Sequence, residues 1–134
     1  MRSVGRQVLI AVYAVFAVAA GARSAVQLAT KYDEAPVAYL LSAFAAVVYL
    51  IATIALRYRG PRATAVAWTA ISIEMVGVLG VGALSVADPD LFPDQTVWSD
   101  FGSGYGFVPL VLPVIGLLWL WKQPRPAPAT TTAD

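Results

Sequence analysis

The sequence predicts an all-α fold, a four-helix transmembrane bundle whose helices run up-down-up-down across a bilayer. Of the 134 residues, 59% are apolar and 13% are charged, which is about half the charged fraction of a soluble domain. The mean hydropathy is +0.71. Four apolar stretches approach or reach the roughly 20 residues that a helix needs to cross a hydrocarbon core of about 30 Å. The chain is therefore predicted to be a multi-pass membrane protein.

The four spans lie in one predicted transmembrane domain over residues 1–122. They cover residues 7–28, 35–56, 63–86 and 105–121. The first three are long enough to cross the bilayer with some tilt. The fourth is short, and Pro109 and Pro113 predict that it is bent or starts late. Residues 123–134 are rich in Pro, Ala and Thr, which predicts a disordered cytoplasmic tail.

The connectors differ in chemistry. Pro36 suits the first turn of the second helix, where its missing N–H costs nothing. The tight connector 57–62 is basic and contains a Gly-Pro pair, which ends one helix and starts the next. Residues 87–104 form a long loop that could be a lid, and Thr96 to Gly106 are interpreted either as a lid over the bundle mouth or as an interfacial anchor. The basic and apolar amino terminus also resembles a signal peptide, but the apolar stretch continues past the A-x-A triplet, so we expect retention.

Positive charges near the helix ends predict the orientation. One set of ends carries seven, and the other carries two, Arg23 and Lys31. Both termini are therefore expected in the cytoplasm of a bacterial cell. The loops on the opposite side are acidic, and Trp98, Phe101 and Tyr105 are expected at that interface as amphipathic rings. The seven are Arg2, Arg6, Arg57, Arg59, Arg62, Lys122 and Arg125.

Composition excludes several kinds of chemistry. The chain has no cysteine and no histidine, which removes disulfides, thiol nucleophiles, Ser-His-Asp triads and Cys or His metal sites. A net charge of +1 argues against a nucleic-acid partner. Asp88, Asp90 and Asp94 lack the glycine and closing glutamate of an EF-hand loop, so we expect a solvated acidic loop. No cofactor, metal or enzymatic activity is predicted.

Glu74 is the most informative residue, because a carboxylate near the middle of a transmembrane helix is costly and needs a partner. Arg23 in the first helix is the nearest basic residue, and its side chain leans back toward the midplane. We therefore expect an Arg23–Glu74 pair. Three interpretations stay open: a packing clamp between the first and third helices, a site at which Glu74 binds a proton or a cation, or a protonated or water-exposed carboxyl group without Arg23 as its partner.

Further polar residues recur at helical spacing around this expected pair. Tyr39, Ser42 and Tyr49 share one face of the second helix, and Gln27 shares a face with Arg23 in the first. The stripes predict an intramembrane polar site of Arg23, Gln27, Tyr39, Ser42, Tyr49 and Glu74. Two interpretations fit these polar residues: hydroxyl groups that only hydrogen-bond between helices and hold them together, or the lining of a hydrated cleft.

The runs Ala35-Pro36-Val37-Ala38-Tyr39, Thr96-Val97-Trp98-Ser99 and Gly104-Tyr105-Gly106-Phe107-Val108-Pro109-Leu110 resemble small uncharacterised four-helix integral membrane proteins of high-GC actinobacteria. This resemblance implies a membrane location and no particular activity. Size and helix count also look like the small multidrug resistance transporters, but their glutamate lies in the first helix. We expect a non-enzymatic structural or accessory membrane protein, in contact with lipid and with a second copy or another membrane protein. The alternative is a small transporter or channel that uses Arg23 and Glu74.

Overall fold

The computed structural model describes residues 4–123, and the regular structure within this range is entirely helical. Short 3-10 turns separate or precede the main helices at Tyr32–Glu34, Pro89–Leu91 and Ser99–Tyr105. The α-helices are α1 (Val4–Thr30), α2 (Pro36–Arg57), α3 (Pro61–Ala87) and α4 (Val108–Lys122). The predicted all-α class is confirmed. The predicted tail falls outside the described residues except for Gln123.

Three of these helices, α1, α2 and α3, are long and apolar enough to cross a membrane. Helices α1 and α3 extend the predicted spans 7–28 and 63–86 by one to three residues at each end, and α2 is shifted by one residue from the predicted span 35–56. Helix α4 has 15 residues, a length of about 22 Å, which is less than the hydrocarbon thickness. A fourth span is complete only if the preceding turn Ser99–Tyr105 is counted with α4.

The fourth segment starts late, as the prolines predict, but its sharp change of direction lies before them. The Ser99–Tyr105 turn and α4 meet at 99°, and Gly106 and Phe107 between them have φ values of 65° and 62°. Pro109 lies in the first turn of α4, where no N–H is needed. Pro113 lies inside the helix without ending it. A left-handed backbone at two consecutive residues therefore makes the bend, rather than a proline kink.

The contacts gather the helix ends into two groups. At the arginine-rich end, defined by Arg6, Arg57, Arg59, Arg62 and Lys122, Arg6 Nη2 donates to the Tyr58 carbonyl and lies over the Trp119 ring. At the acidic end, defined by the loops 31–35 and 88–107, a Lys31–Asp94 ion pair joins those loops. Among the described residues, charged side chains are thus concentrated toward the two ends, and Glu74 at the middle of α3 is the exception.

Consecutive helices pack on each other through small residues. A Cβ on Gly21 of α1 would meet the Ala46 side chain of α2 at 3.8 Å, so the small-residue face of α1 serves a contact within this chain. The core beneath contains Tyr13, Tyr49 and Ile71, each fully buried. Close helix packing of this kind is how apolar helices associate where lipid removes the hydrophobic driving force.

Candidate functional site

Glu74 is the only acidic residue within the four α-helices, and it lies at the middle of α3 with zero solvent exposure. Its Oε1 accepts a hydrogen bond of 2.6 Å from Tyr13 Oη of α1. Its Oε2 is buried without a hydrogen-bond partner among the described residues. One hydrogen bond and no counter-charge within residues 4–123 is the arrangement expected of a neutral carboxylic acid, since a buried charge requires a partner.

The Glu74–Tyr13 pair continues into a buried polar chain, defined here as Glu74, Tyr13, Tyr49 and Trp98. The rings of Tyr13 and Tyr49 lie 6.2 Å apart between centroids. Trp98 Nε1 donates to Tyr49 Oη at 2.8 Å. This buried polar chain of four side chains therefore runs from the middle of α3, past α1 and α2, to the loop that precedes α4. Its three aromatic rings are almost wholly buried.

The expected Arg23–Glu74 pair does not form. Arg23 is exposed, and its Nη1 donates instead to Tyr105 Oη at 3.2 Å. The physical reason is position along α1: Tyr13 reaches Glu74, whereas Arg23 lies ten residues further along the helix, about 15 Å toward the acidic end. A long basic side chain there extends toward the polar boundary rather than the core. Neither the packing clamp nor the ion site can therefore be an Arg23–Glu74 pair.

The other predicted polar residues are buried but do not meet at one point. Gln27, Tyr39, Ser42 and Tyr49 are each at most 6% exposed. Tyr49 joins the buried polar chain, while Tyr39 Oη donates to Asp94 at the acidic end. Gln27 Oε1 is buried without a partner among residues 4–123. The polar residues of α2 thus contribute to two separate places.

Hydroxyl groups satisfy the backbone of the segment 96–100, which enters the helix assembly from the acidic end. Ser42 Oγ of α2 accepts the Val97 N–H at 3.1 Å, and Ser85 Oγ of α3 accepts the Asp100 N–H at 2.8 Å. Ser42 lies six residues after the start of α2, about 9 Å along it. Non-helical backbone at that depth is tolerated only when its polar groups are paired within the protein.

Trp98 of this segment and Phe101, the residue that follows the segment, fill spaces that glycines leave open on α3. A Cβ on Gly77 would lie 2.4 Å from Trp98 Cζ3, and one on Gly82 would lie 2.4 Å from Phe101 Cδ1. Trp98 is 1% exposed, so its expected place in an interfacial aromatic belt is wrong. Trp98 is thus a core residue, packed between α3 and Tyr49.

Asp94 is the centre of a small cluster with Tyr39 and Lys31 at the acidic end. Tyr39 Oη donates to its Oδ2 at 3.0 Å, the Gln95 N–H donates to its Oδ1 at 2.8 Å, and Lys31 Nζ lies 3.7 Å from Oδ2. Partial burial opposes ionisation, but these hydrogen bonds and the charges of Lys31 and Arg23 outweigh it, so the pKa of Asp94 is lowered. Within the described range no acidic group is arranged to hold a metal ion.

The arginine-rich end contains a cavity of about 700 Å³. All four helices and the α2–α3 connector contribute to its wall, which combines Arg6 and Arg59 with the rings of Trp68, Trp119 and Trp121. Asp and Glu are absent from the described lining residues. The wall is thus basic and aromatic.

Sequence reasoning missed Tyr13 as the partner of Glu74 and missed Trp98 as a core residue. Tyr13 shares a helical face with Leu9, Ala20 and Ser24, all buried, so the 3.6-residue period could have placed it inside. For Trp98 the sequence offers the glycine at position 77, but nothing in the spacing indicates which aromatic ring faces it.

Comparisons with protein-family models, with curated proteins and with solved structures find no match.

Proposed function

We propose that this chain is a multi-pass protein of a bacterial cell membrane, with four spans running up-down-up-down and both termini in the cytoplasm. The fourth span combines the segment 99–107 with α4. The grouping of basic residues at one end and acidic loops at the other supports this orientation, because cytoplasmic loops carry the excess of Lys and Arg. Cysteines at Arg59 and Asp90, both exposed, should then label from opposite sides of the membrane. Labelling from one side would contradict the topology.

We further propose a structural or accessory role without enzymatic chemistry, in which the protein contacts another membrane protein or a second copy. The observation that carries this proposal is the filled interior, where Tyr13, Tyr49 and Trp98 are each at most 1% exposed. A transporter would need a substrate path through this space. A helix assembly braced by an inserted loop is suited to presenting rigid apolar faces to a partner.

Photo-crosslinking in cells tests the accessory role. A crosslinker is placed in turn at one exposed residue of each helix, and we expect adducts from one or two adjacent helices to a single protein band. Adducts to lipid alone at every position would contradict a protein partner. The four positions are Val18, Val47, Val76 and Ile115.

A transporter or channel centred on Glu74 is the second candidate, because Glu74 Oε2 is buried without a partner among the described residues and intramembrane carboxyl groups often bind protons or cations. Pure protein in vesicles with a pH gradient separates the two functions. The accessory role predicts dissipation no faster than in protein-free vesicles. A transporter predicts a flux that Glu74→Gln abolishes and Tyr39→Phe, remote from Glu74, leaves intact.

A further inference from the structure

The cavity at the arginine-rich end has a wall of two chemical kinds. Its floor is apolar, formed by Ala55, Leu56, Ala67 and Leu120, and its rim carries Arg6, Arg59 and three tryptophans. Leu56, Ala67 and Leu120 are themselves buried, so the apolar part lies inside the protein. Trp121 is 78% exposed and extends the rim outward.

The two arginines are held differently. The Arg6 guanidinium lies 5.4 Å from the Trp119 ring centroid and donates to the Tyr58 carbonyl at 2.9 Å, so it is a fixed part of the wall. Arg59 is exposed on the connector between α2 and α3, and the hydrogen bonds and salt bridges found between described residues do not involve it. Arg59 can therefore turn its guanidinium toward a ligand in the cavity.

We propose that this cavity binds the headgroup of an anionic phospholipid, with the phosphate on Arg59 and the glycerol region on the tryptophans. Guanidinium groups pair with phosphate oxygens in a forked geometry. Tryptophan rings favour the headgroup level of a bilayer, and basic pockets between transmembrane helices bind anionic lipid headgroups. The apolar floor favours a lipid over free phosphate, since inorganic phosphate has no apolar part to bury.

Quenching of tryptophan fluorescence measures this binding, because Trp68 and Trp119 line the cavity. The full chain is reconstituted in phosphatidylcholine nanodiscs with increasing fractions of phosphatidylglycerol carrying brominated acyl chains, or of brominated phosphatidylcholine. We expect half-maximal quenching at a several-fold lower fraction of phosphatidylglycerol. Arg59→Gln should weaken that preference about five-fold. Arg59→Lys keeps the charge but loses the forked geometry, so its preference should lie between those of Arg59→Gln and the unchanged protein.

Arg62→Gln is the matched control, because Arg62 carries the same charge three residues away and does not line this cavity. It should leave the preference nearly unchanged. Equal quenching by both lipids, or an equal loss in Arg59→Gln and Arg62→Gln, would overturn the proposal, since the first shows no anion site and the second shows general surface attraction. Loss of the preference on adding millimolar inorganic phosphate at constant ionic strength would show that the cavity takes free phosphate rather than a lipid.

Discussion

Gly77 should be the position on α3 where one added methyl group does the most damage. An alanine Cβ there would lie 2.4, 2.6 and 2.8 Å from three ring atoms of Trp98, all far below van der Waals contact. Trp98 cannot withdraw freely, because it is 1% exposed and its Nε1 donates to Tyr49 Oη. Gly77→Ala must therefore shift the loop or break that hydrogen bond.

Overpacking of this kind costs about 1–3 kcal/mol, while replacing glycine in a helix by alanine returns about 0.5–1 kcal/mol. Gly80→Ala is the matched control: it is the same change on the same helix, and nothing lies within 4 Å of its Cβ. Since both variants share the helix-propensity gain, Gly77→Ala should be about 1–3 kcal/mol less stable than Gly80→Ala.

The measurement is reversible unfolding in mixed detergent micelles, followed by helical circular dichroism. The clash itself is isolated by a double-mutant cycle with Trp98→Leu, which removes the ring. In that background Gly77→Ala should no longer destabilise, giving a coupling energy of about 1–3 kcal/mol. Equal stability of Gly77→Ala and Gly80→Ala, or a coupling energy near zero, would refute the insertion of Trp98 against α3.

Four further outcomes follow from the same contacts. Gly82→Ala should destabilise the protein relative to Gly80→Ala in the same unfolding assay, because its Cβ would meet the Phe101 ring at 2.4 Å. Ser42→Ala should cost about 1–3 kcal/mol, since it leaves the Val97 N–H buried without an acceptor; Ser72→Ala, at an exposed site of α3, is its control. The changes in unfolding free energy caused by Arg23→Met and Glu74→Gln should add to within about 0.5 kcal/mol. A larger coupling energy would indicate that Arg23 and Glu74 do interact. The pKa of Asp94 is lowered in the fold. Its contribution to stability is therefore present above the pKa of an unfolded aspartate, about 3.9, and is lost as the pH falls through the lower pKa of the folded state. Asp94→Asn should consequently reduce the fall in melting temperature between about pH 6 and about pH 3.

Hydropathy and the residues that start and end helices predict much of this fold. The first three helices, the start of α2 at Pro36 and the late start of α4 follow from apolar length and proline chemistry, which are local properties. The position of residues 96–101, called here the inserted segment, does not follow from local properties, because it depends on glycines of α3 that lie about twenty residues earlier in the chain. Small side chains in a helix are equally compatible with a helix–helix contact, a contact with a loop or a lipid-facing surface.

The prediction for Glu74 was half correct for a related reason. The cost of a buried carboxyl group correctly indicates that Glu74 needs a partner inside the protein. The expected partner, Arg23, is wrong: it contacts Tyr105 instead, and no charged side chain lies beside Glu74 among the described residues. Tyr13 supplies a hydrogen bond from the same depth, and a neutral pair avoids the desolvation cost that a buried ion pair must overcome.

The shortness of α4 and the insertion of the preceding segment are structurally related. In the proposed fourth span, a helix of 15 residues would leave about 8 Å of a hydrocarbon core of about 30 Å uncovered. Irregular backbone can fill that depth only if its N–H groups find acceptors. Ser42 and Ser85 supply acceptors from two different helices, while Trp98 and Phe101 seal the glycine gaps on α3. The segment thereby ties α2 and α3 to the beginning of α4, and opening a path along the buried polar chain would require Trp98 to leave Gly77 and Tyr49 together. That coupling of the loop to the core is the physical reason for favouring a rigid accessory protein over a transporter.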